Sequence, residues 1–192
     1  PKWILRHKLA TSSLEDLSHG HFNNVMVDPS IDPASAKRVI LCSGKVYYHL
    51  LEERDARGIT DIGLVRLEQL YPFPDKELDA VLAGYTQLED AVWCQEEPMN
   101  QGAWYSSQHH MRNAIQRLNA KVLLNYAGRI ASAAPASGYM SVHLDEQKKF
   151  IDEALTFFIE YALPSFPAAP LGKNARLASS KKLIIVGFVL EI

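Results

Sequence analysis

Apolar residues along this chain fall into short continuous runs, and between the runs they recur every three or four positions. Residues 38–42 (RVILC), 62–67 (IGLVRL), 90–95 (DAVWCQ) and 121–126 (KVLLNY) read as strands, most of them apolar on both faces. The intervening stretches read as amphipathic helices. After Ser43-Gly44, one helical face carries Val46, Leu50 and Leu51, with Tyr47 at its flank. Residues 75–85 turn Leu78, Val81 and Leu82 inward, and a helix opened by Gly102 presents Trp104, Met111, Ile115 and Leu118. A closing helix over 144–158 does so through Leu144, Ile151, Leu155 and Phe158. Residues 22–27 predict a short edge strand before the turn signals Asp28-Pro29 and Asp32-Pro33. Strands that alternate with helices need crossover connections. The pattern therefore predicts an α/β fold of three layers, a mainly parallel sheet of four or five strands with helices on both faces.

The same pattern divides the chain. Residues 1–37 form an N-terminal arm with the possible edge strand, 38–158 the α/β domain, and 159–192 a tail. In the tail Pro164, Pro167 and Pro170 break any helix, and Lys181-Lys182 precede the apolar run LIIVGFVL. That run could be an added edge strand, a packing tail or sequence foreign to the rest; disorder or foreign origin is the expectation.

Composition narrows the class without naming it. With 47% hydrophobic residues, 192 positions suffice for the core of one domain. Twenty basic and 22 acidic residues are interspersed at a net charge of -2, which leaves no nucleic-acid footprint. The run 183–190 is too short to cross a bilayer. Cys42 and Cys94 lie within apolar strands, where a thiol is expected as a small core residue, compatible with a reducing cytosol, and not as a nucleophile or bridge. The chain starts at Pro1 with no charged-then-apolar leader, so it is expected to be a piece of a longer polypeptide.

Candidate chemistry concentrates in 92–104, VWCQEEPMNQGAW. The strand is expected to stop at Pro98, leaving Glu96, Glu97, Asn100 and Gln101 on the carboxyl rim, where parallel sheets place ligands and partners. The alternative is a solvated turn into the helix. Ser43, Gly44 and Lys45 form a second candidate, since a glycine turn into a helix N-terminus favours an anion. Arg66 could add a fork for phosphate or carboxylate. Their plain alternatives are an ordinary strand-to-helix turn, and a salt bridge from Arg66 to Glu68 or the rim carboxylates. His109 and His110, adjacent on a helix, should diverge by about 100° and cannot chelate one ion together. The other histidines have no metal-ligand spacing, and no metal site is expected.

Several long blocks carry a resemblance. LRHKLATSSLEDL (5–17), LCSGKVYYHLLEER (41–54), VRLEQLYPFP (65–74), VWCQEEPMNQGAWYSSQHH (92–110) and YAGRIASAAPASGYMSVH (126–143) occur in the order and spacing of one family. Over roughly residues 3–155 the chain resembles the C-terminal domain of the bacterial thiamine-diphosphate-dependent first component of 2-oxoglutarate dehydrogenase. The resemblance implies a transketolase C-terminal-domain-like fold in a cytoplasmic enzyme. That enzyme decarboxylates 2-oxoglutarate on thiamine diphosphate and Mg2+ and passes the succinyl group to the lipoyl arm of the succinyltransferase. It further implies packing against upstream domains and a homodimer partner. The family's Gly-Asp-Gly diphosphate motif is absent from this chain, so no catalytic or cofactor residue is expected here, and the chain alone should be inactive. A related transketolase-like or pyruvate-type enzyme tail and a free-standing nucleotide-binding regulatory module are the alternatives. Actinobacterial relatives bind acetyl-CoA at positions aligned with His21, Asn24, Gln69, Lys76 and Glu77. Only Gln69 is retained, and Glu77 and His21 replace cations, so acetyl-CoA control is not expected.

Overall fold

The computed structural model describes residues 4–157, together with 184–185 and 188–189. Its first compact unit runs from Pro1 to Phe157 and its second from Phe158 to Ile192. In the second, Ile184–Ile185 and Phe188–Val189 pair antiparallel; the remaining tail expectations lie outside the described residues.

In the first unit, two short 3-10 turns precede α1 (Leu14–His19), whose N-terminus is closed by reciprocal hydrogen bonds between Ser13 and Asp16. Strands and helices then alternate: β1 (Val25–Val27), β2 (Arg38–Cys42), α2 (Val46–Ala56), β3 (Ile62–Leu67), α3 (Asp75–Leu82), β4 (Asp90–Pro98), α4 (Trp104–Leu118), β5 (Leu124–Arg129) and α5 (Met140–Leu155). The sheet has five strands in the order β1-β3-β2-β4-β5, with β1 antiparallel and the others parallel.

Successive side chains of a strand point to opposite faces, and this parity sorts the core. Val39, Leu41, Val65, Leu67, Ala91 and Trp93 pack on one face with Leu78 and Leu82 of α3 and with Trp104, Met111 and Ile115 of α4. Ile40, Cys42, Ile62, Leu64, Val92 and Cys94 pack on the other with Val46 and Leu50 of α2 and with Phe150, Ile151 and Leu155 of α5. The three layers expected from the sequence are thus α3/α4, sheet, and α2/α5.

Several boundaries differ from the expectation. β4 does not stop at Gln95 but continues through Pro98. Its pairing with β2 ends at Cys42 opposite Cys94, so beyond that point β4 has only β5 as a neighbour and the missing proline N-H costs little. β5 spans Leu124–Arg129, later than 121–126, because the Asn119 side chain accepts from the Lys121 amide at 3.1 Å and holds that stretch in a turn. α3 ends at Leu82, where tight turns carry the Gly84 and Tyr85 amides back to the carbonyls of Val81 and Leu82. α5 begins at Met140 and not at 144, and Leu144 is 56% exposed instead of inward. Phe158 lies outside the described residues.

Two wholly buried arginines tie the layers at their ends. Arg38 donates to the carbonyls of Ala154 and Thr156, each at 2.6 Å, ion-pairs with Asp90, and lies over the Phe157 ring. The Ala154 carbonyl lies in the last turn of α5, which has no internal donor left for it, and Thr156 directly follows the helix. Arg54 of α2 ion-pairs with Asp28 and donates to Ser30 at 2.6 Å, which anchors the chain leaving β1.

Candidate functional site

In open α/β sheets the ligand crevice lies beyond the carboxyl ends of the strands, where successive connections leave in opposite directions. Here that place is between β2 and β4: the chain leaves β2 for α2 on one face and β4 for α4 on the other. Lys45, after β2, and Glu96, after Cys94, form an ion pair across it, with side chains 23% and 17% exposed. Gly44 makes the turn at φ +73°, a left-handed conformation with open space around the missing Cβ. The Ser43-Gly44-Lys45 candidate is therefore a sharp glycine turn, but its amine is committed to a carboxylate of the same chain. His49 lies nearby, and its pKa is lowered by burial first and by the Lys45 ammonium second.

Glu96 and Glu97 are separated in role by backbone geometry. From Gln95 to Pro98 β4 advances three positions while β5 advances one, from Gly128 to Arg129, so the two glutamates occupy a bulge. Glu96 turns to Lys45, whereas Glu97 is exposed. The solvated-turn alternative thus describes Glu97 and not Glu96.

Gln95, which sequence reasoning did not single out, builds this rim. It is 2% exposed. Its Oε1 accepts from the Trp93 indole at 2.9 Å and from the Trp104 backbone N-H at 3.1 Å, one of the donors that opens α4. Its Nε2 donates to the carbonyls of Glu97, Pro98 and Gln101 at 3.2, 3.1 and 2.9 Å, which fixes the bulge. At Gly102, φ +64°, an added Cβ would come within 3.2 Å of this amide and 3.1 Å of the Glu97 Cβ, so a side chain there would crowd the bulge. Strand parity held the missing signal: position 95 shares a face with Ala91 and Trp93, and a polar residue at an inward position needs partners.

Asn100 and Gln101 clasp the loop after β5. Asn100 Nδ2 donates to the Ser132 carbonyl at 3.0 Å, the Ser132 N-H returns to Asn100 Oδ1 at 2.9 Å, and Gln101 Nε2 reaches the same carbonyl at 3.0 Å. The rim amides are thus spent on holding loop 130–139 in place.

Arg66 takes the plain alternative: its guanidinium lies 2.6 Å from Glu68, donates to the Tyr48 hydroxyl at 2.9 Å and rests over Tyr47. Of the five effector-aligned positions, Asn24, Gln69 and Glu77 come together. Asn24 Nδ2 donates to Glu77 at 3.1 Å, and the Gln69 N-H reaches the Asn24 carbonyl at 3.2 Å. Lys76 and His21 are exposed.

The histidine expectation requires correction. The rings of His109 and His110 lie 4.1 Å apart instead of diverging, because His110 is drawn to Asp75 at 3.0 Å and stacks on Phe73 at 4.5 Å. Among the described residues no group of three or more His, Cys, Asp or Glu could hold a metal ion, and no helix is long and apolar enough to cross a membrane. Both thiols are fully buried; burial raises the pKa of Cys42 to about 12 and that of Cys94 well above its ordinary value.

Fold and rim define an open, mainly parallel α/β domain with an edge strand, whose crevice is closed by its own side chains. The sequence model of the family described as 2-oxoglutarate dehydrogenase C-terminal matches residues 11–155, and the chain belongs to that family. The 2-oxoglutarate dehydrogenase E1 component of Azotobacter vinelandii is 57% identical over 157 residues, covering 81% of this chain and 17% of the relative. The E1 component of Haemophilus influenzae is 51% identical over 158 residues, 82% of this chain and 17% of the relative. The oxoglutarate dehydrogenase of Buchnera aphidicola is 45% identical over 156 residues, again 81% and 17%. The chain thus spans about a sixth of the length of these relatives, and the resemblance read from its motifs holds.

Proposed function

We propose that this chain is the C-terminal assembly domain of a bacterial 2-oxoglutarate dehydrogenase first component. The whole enzyme, by analogy with its named relatives, decarboxylates 2-oxoglutarate on thiamine diphosphate with Mg2+ and succinylates the lipoyl group of the succinyltransferase in the cytoplasm. The observation that carries the assembly reading is the crevice between β2 and β4. The Lys45–Glu96 pair fills the place where such a sheet would take a ligand, which speaks against a nucleotide-binding regulatory module.

The residues present do not fit the cofactor. The one amine on the Ser43–Lys45 turn is held by Glu96, and the described residues offer no carboxylate cluster for Mg2+. No catalytic step is therefore assigned to this chain. Its part is to present Glu97 and the clasped loop after β5 toward upstream domains and the homodimer partner, at a rim fixed by Gln95, Asn100 and Gln101.

A chimera tests the proposal. Residues 11–155 replace the matching segment of the Azotobacter E1 component, and dimer mass and 2-oxoglutarate turnover are measured beside the enzyme deleted for that segment. The chimera should dimerise and turn over while the deletion does neither. A deletion variant that keeps both would remove the assembly role.

A further inference from the structure

We propose that the cleft at the carboxyl end of β5 binds a small carboxylate, with Arg129 as the cation that receives it. The cleft has a volume of ≈ 270 Å³ and is lined by Pro98, Arg129, Ile130, Ala134, Ser137 and Glu146 among others. The Arg129 side chain is 5% exposed. Its Nη2 approaches His143 Nδ1 at 2.8 Å, and its Nε lies 3.2 Å from Glu146. That buried Nε makes no hydrogen bond despite its nearness to Glu146, although a guanidinium carries five donors and is costly to bury incompletely paired. Ser137 Oγ, in the same cleft, is buried without a partner. Buried hydroxyls nearly always have one, so two residues lining this cleft each carry a buried polar atom short of a partner.

The surroundings select the class of anion. Glu146 in the lining repels a phosphate dianion more than a carboxylate, and Pro98, Ile130 and Ala134 suit a short apolar body beside the charge. A carboxylate accepts both an Arg N-H and a hydroxyl. The wall is preformed, because Asn100 and Gln101 pin loop 130–139 at Ser132, so little ordering entropy opposes binding. The carboxylate is either that of a free small acid or that of an Asp or Glu side chain in the rest of a longer polypeptide.

The test is an NMR titration of this chain with propionate and, separately, inorganic phosphate. Saturable shifts at Arg129 and Ser137 are expected with propionate, at a Kd of about 1–10 mM, with phosphate at least about tenfold weaker. Ser137→Asp places a carboxylate in the cleft that Arg129 lines, and should abolish propionate binding while raising Tm by about 2–4 °C. Arg129→Lys, which retains the charge but not the fork, should weaken binding about tenfold. Absence of saturable shifts up to about 50 mM, tighter binding of phosphate, or unaltered propionate affinity in Ser137→Asp would overturn the proposal. In a full-length enzyme carrying this domain, retained binding assigns the site to a free acid. Binding lost there, but present in this chain, assigns it to a side chain of the same polypeptide or its partner.

Discussion

Gln95 uses every polar atom of its side chain inside the protein, on an indole, a helix-opening amide and three carbonyls. Removing one partner of a buried hydrogen bond leaves the other to bear its desolvation, about 1–3 kcal/mol for each orphaned group. Gln95→Leu, close in volume, should therefore cost roughly 2–4 kcal/mol in urea unfolding and should loosen loop 130–139, seen as faster amide exchange at Ser132. A loss below about 0.5 kcal/mol would put it among ordinary surface positions. The neighbouring glutamates should part company. Glu97→Ala should stay within about 0.5 kcal/mol, whereas Glu96→Ala strands the three-quarters-buried Lys45 side chain and should cost about 1–3 kcal/mol. Lys45→Met with Glu96→Leu should recover part of that loss, and equal costs for the two single glutamate variants would contradict the split. From sequence the pair looked like one motif, because nothing in EEP says which carboxylate a bulge turns inward.

At the scale of elements, periodicity located every major strand and helix of the first unit, since hydrophobic runs report burial on two faces. What it missed were pairing details. The extension of β4 past Pro98 depends on β2 ending at Cys42, a fact about a neighbouring strand. The late start of β5 depends on a side-chain turn at Asn119. Arg38 and Arg54 were legible only as strand and helix residues, although Arg54 lies four positions after Leu50 and eight after Val46, on the inward stripe. An arginine there announces a buried ion pair. The cysteine reading does follow from the elements: Cys42 and Cys94 are register partners on β2 and β4, facing α2 and α5. With thiols fully buried and raised by that burial, alkylation by iodoacetamide at pH 8 should track global unfolding and stay negligible in the native state. Rapid labelling of either thiol without denaturant would show that the α2/α5 layer opens locally.

For the whole molecule the question is where the domain ends. The sequence placed the boundary at 158 from the last helical stripe and from the end of the family resemblance. A physical closing contact supplies a sharper argument: Arg38, at the opposite end of the chain's core, takes the carbonyls of Ala154 and Thr156 and lies over Phe157. The Arg38 charge is wholly buried, so these acceptors, with Asp90, satisfy it, and it in turn closes the C-terminus of α5 where a cation is favourable. We therefore place the boundary directly after Phe157, where the first compact unit also ends. A chain cut after Phe157 should keep the melting temperature of the parent within about 2 °C. A cut after Glu153, only four residues shorter, removes both carbonyls, Leu155 and the ring over Arg38. It should lower stability by about 3–5 kcal/mol, the range seen when a buried charge loses its partners, and should expose the face built on Ile40, Val92 and Phe150 to hydrophobic dyes. If the two truncations melt alike, Arg38 is not the closing contact. If the longer one already melts well below the parent, the boundary lies further on.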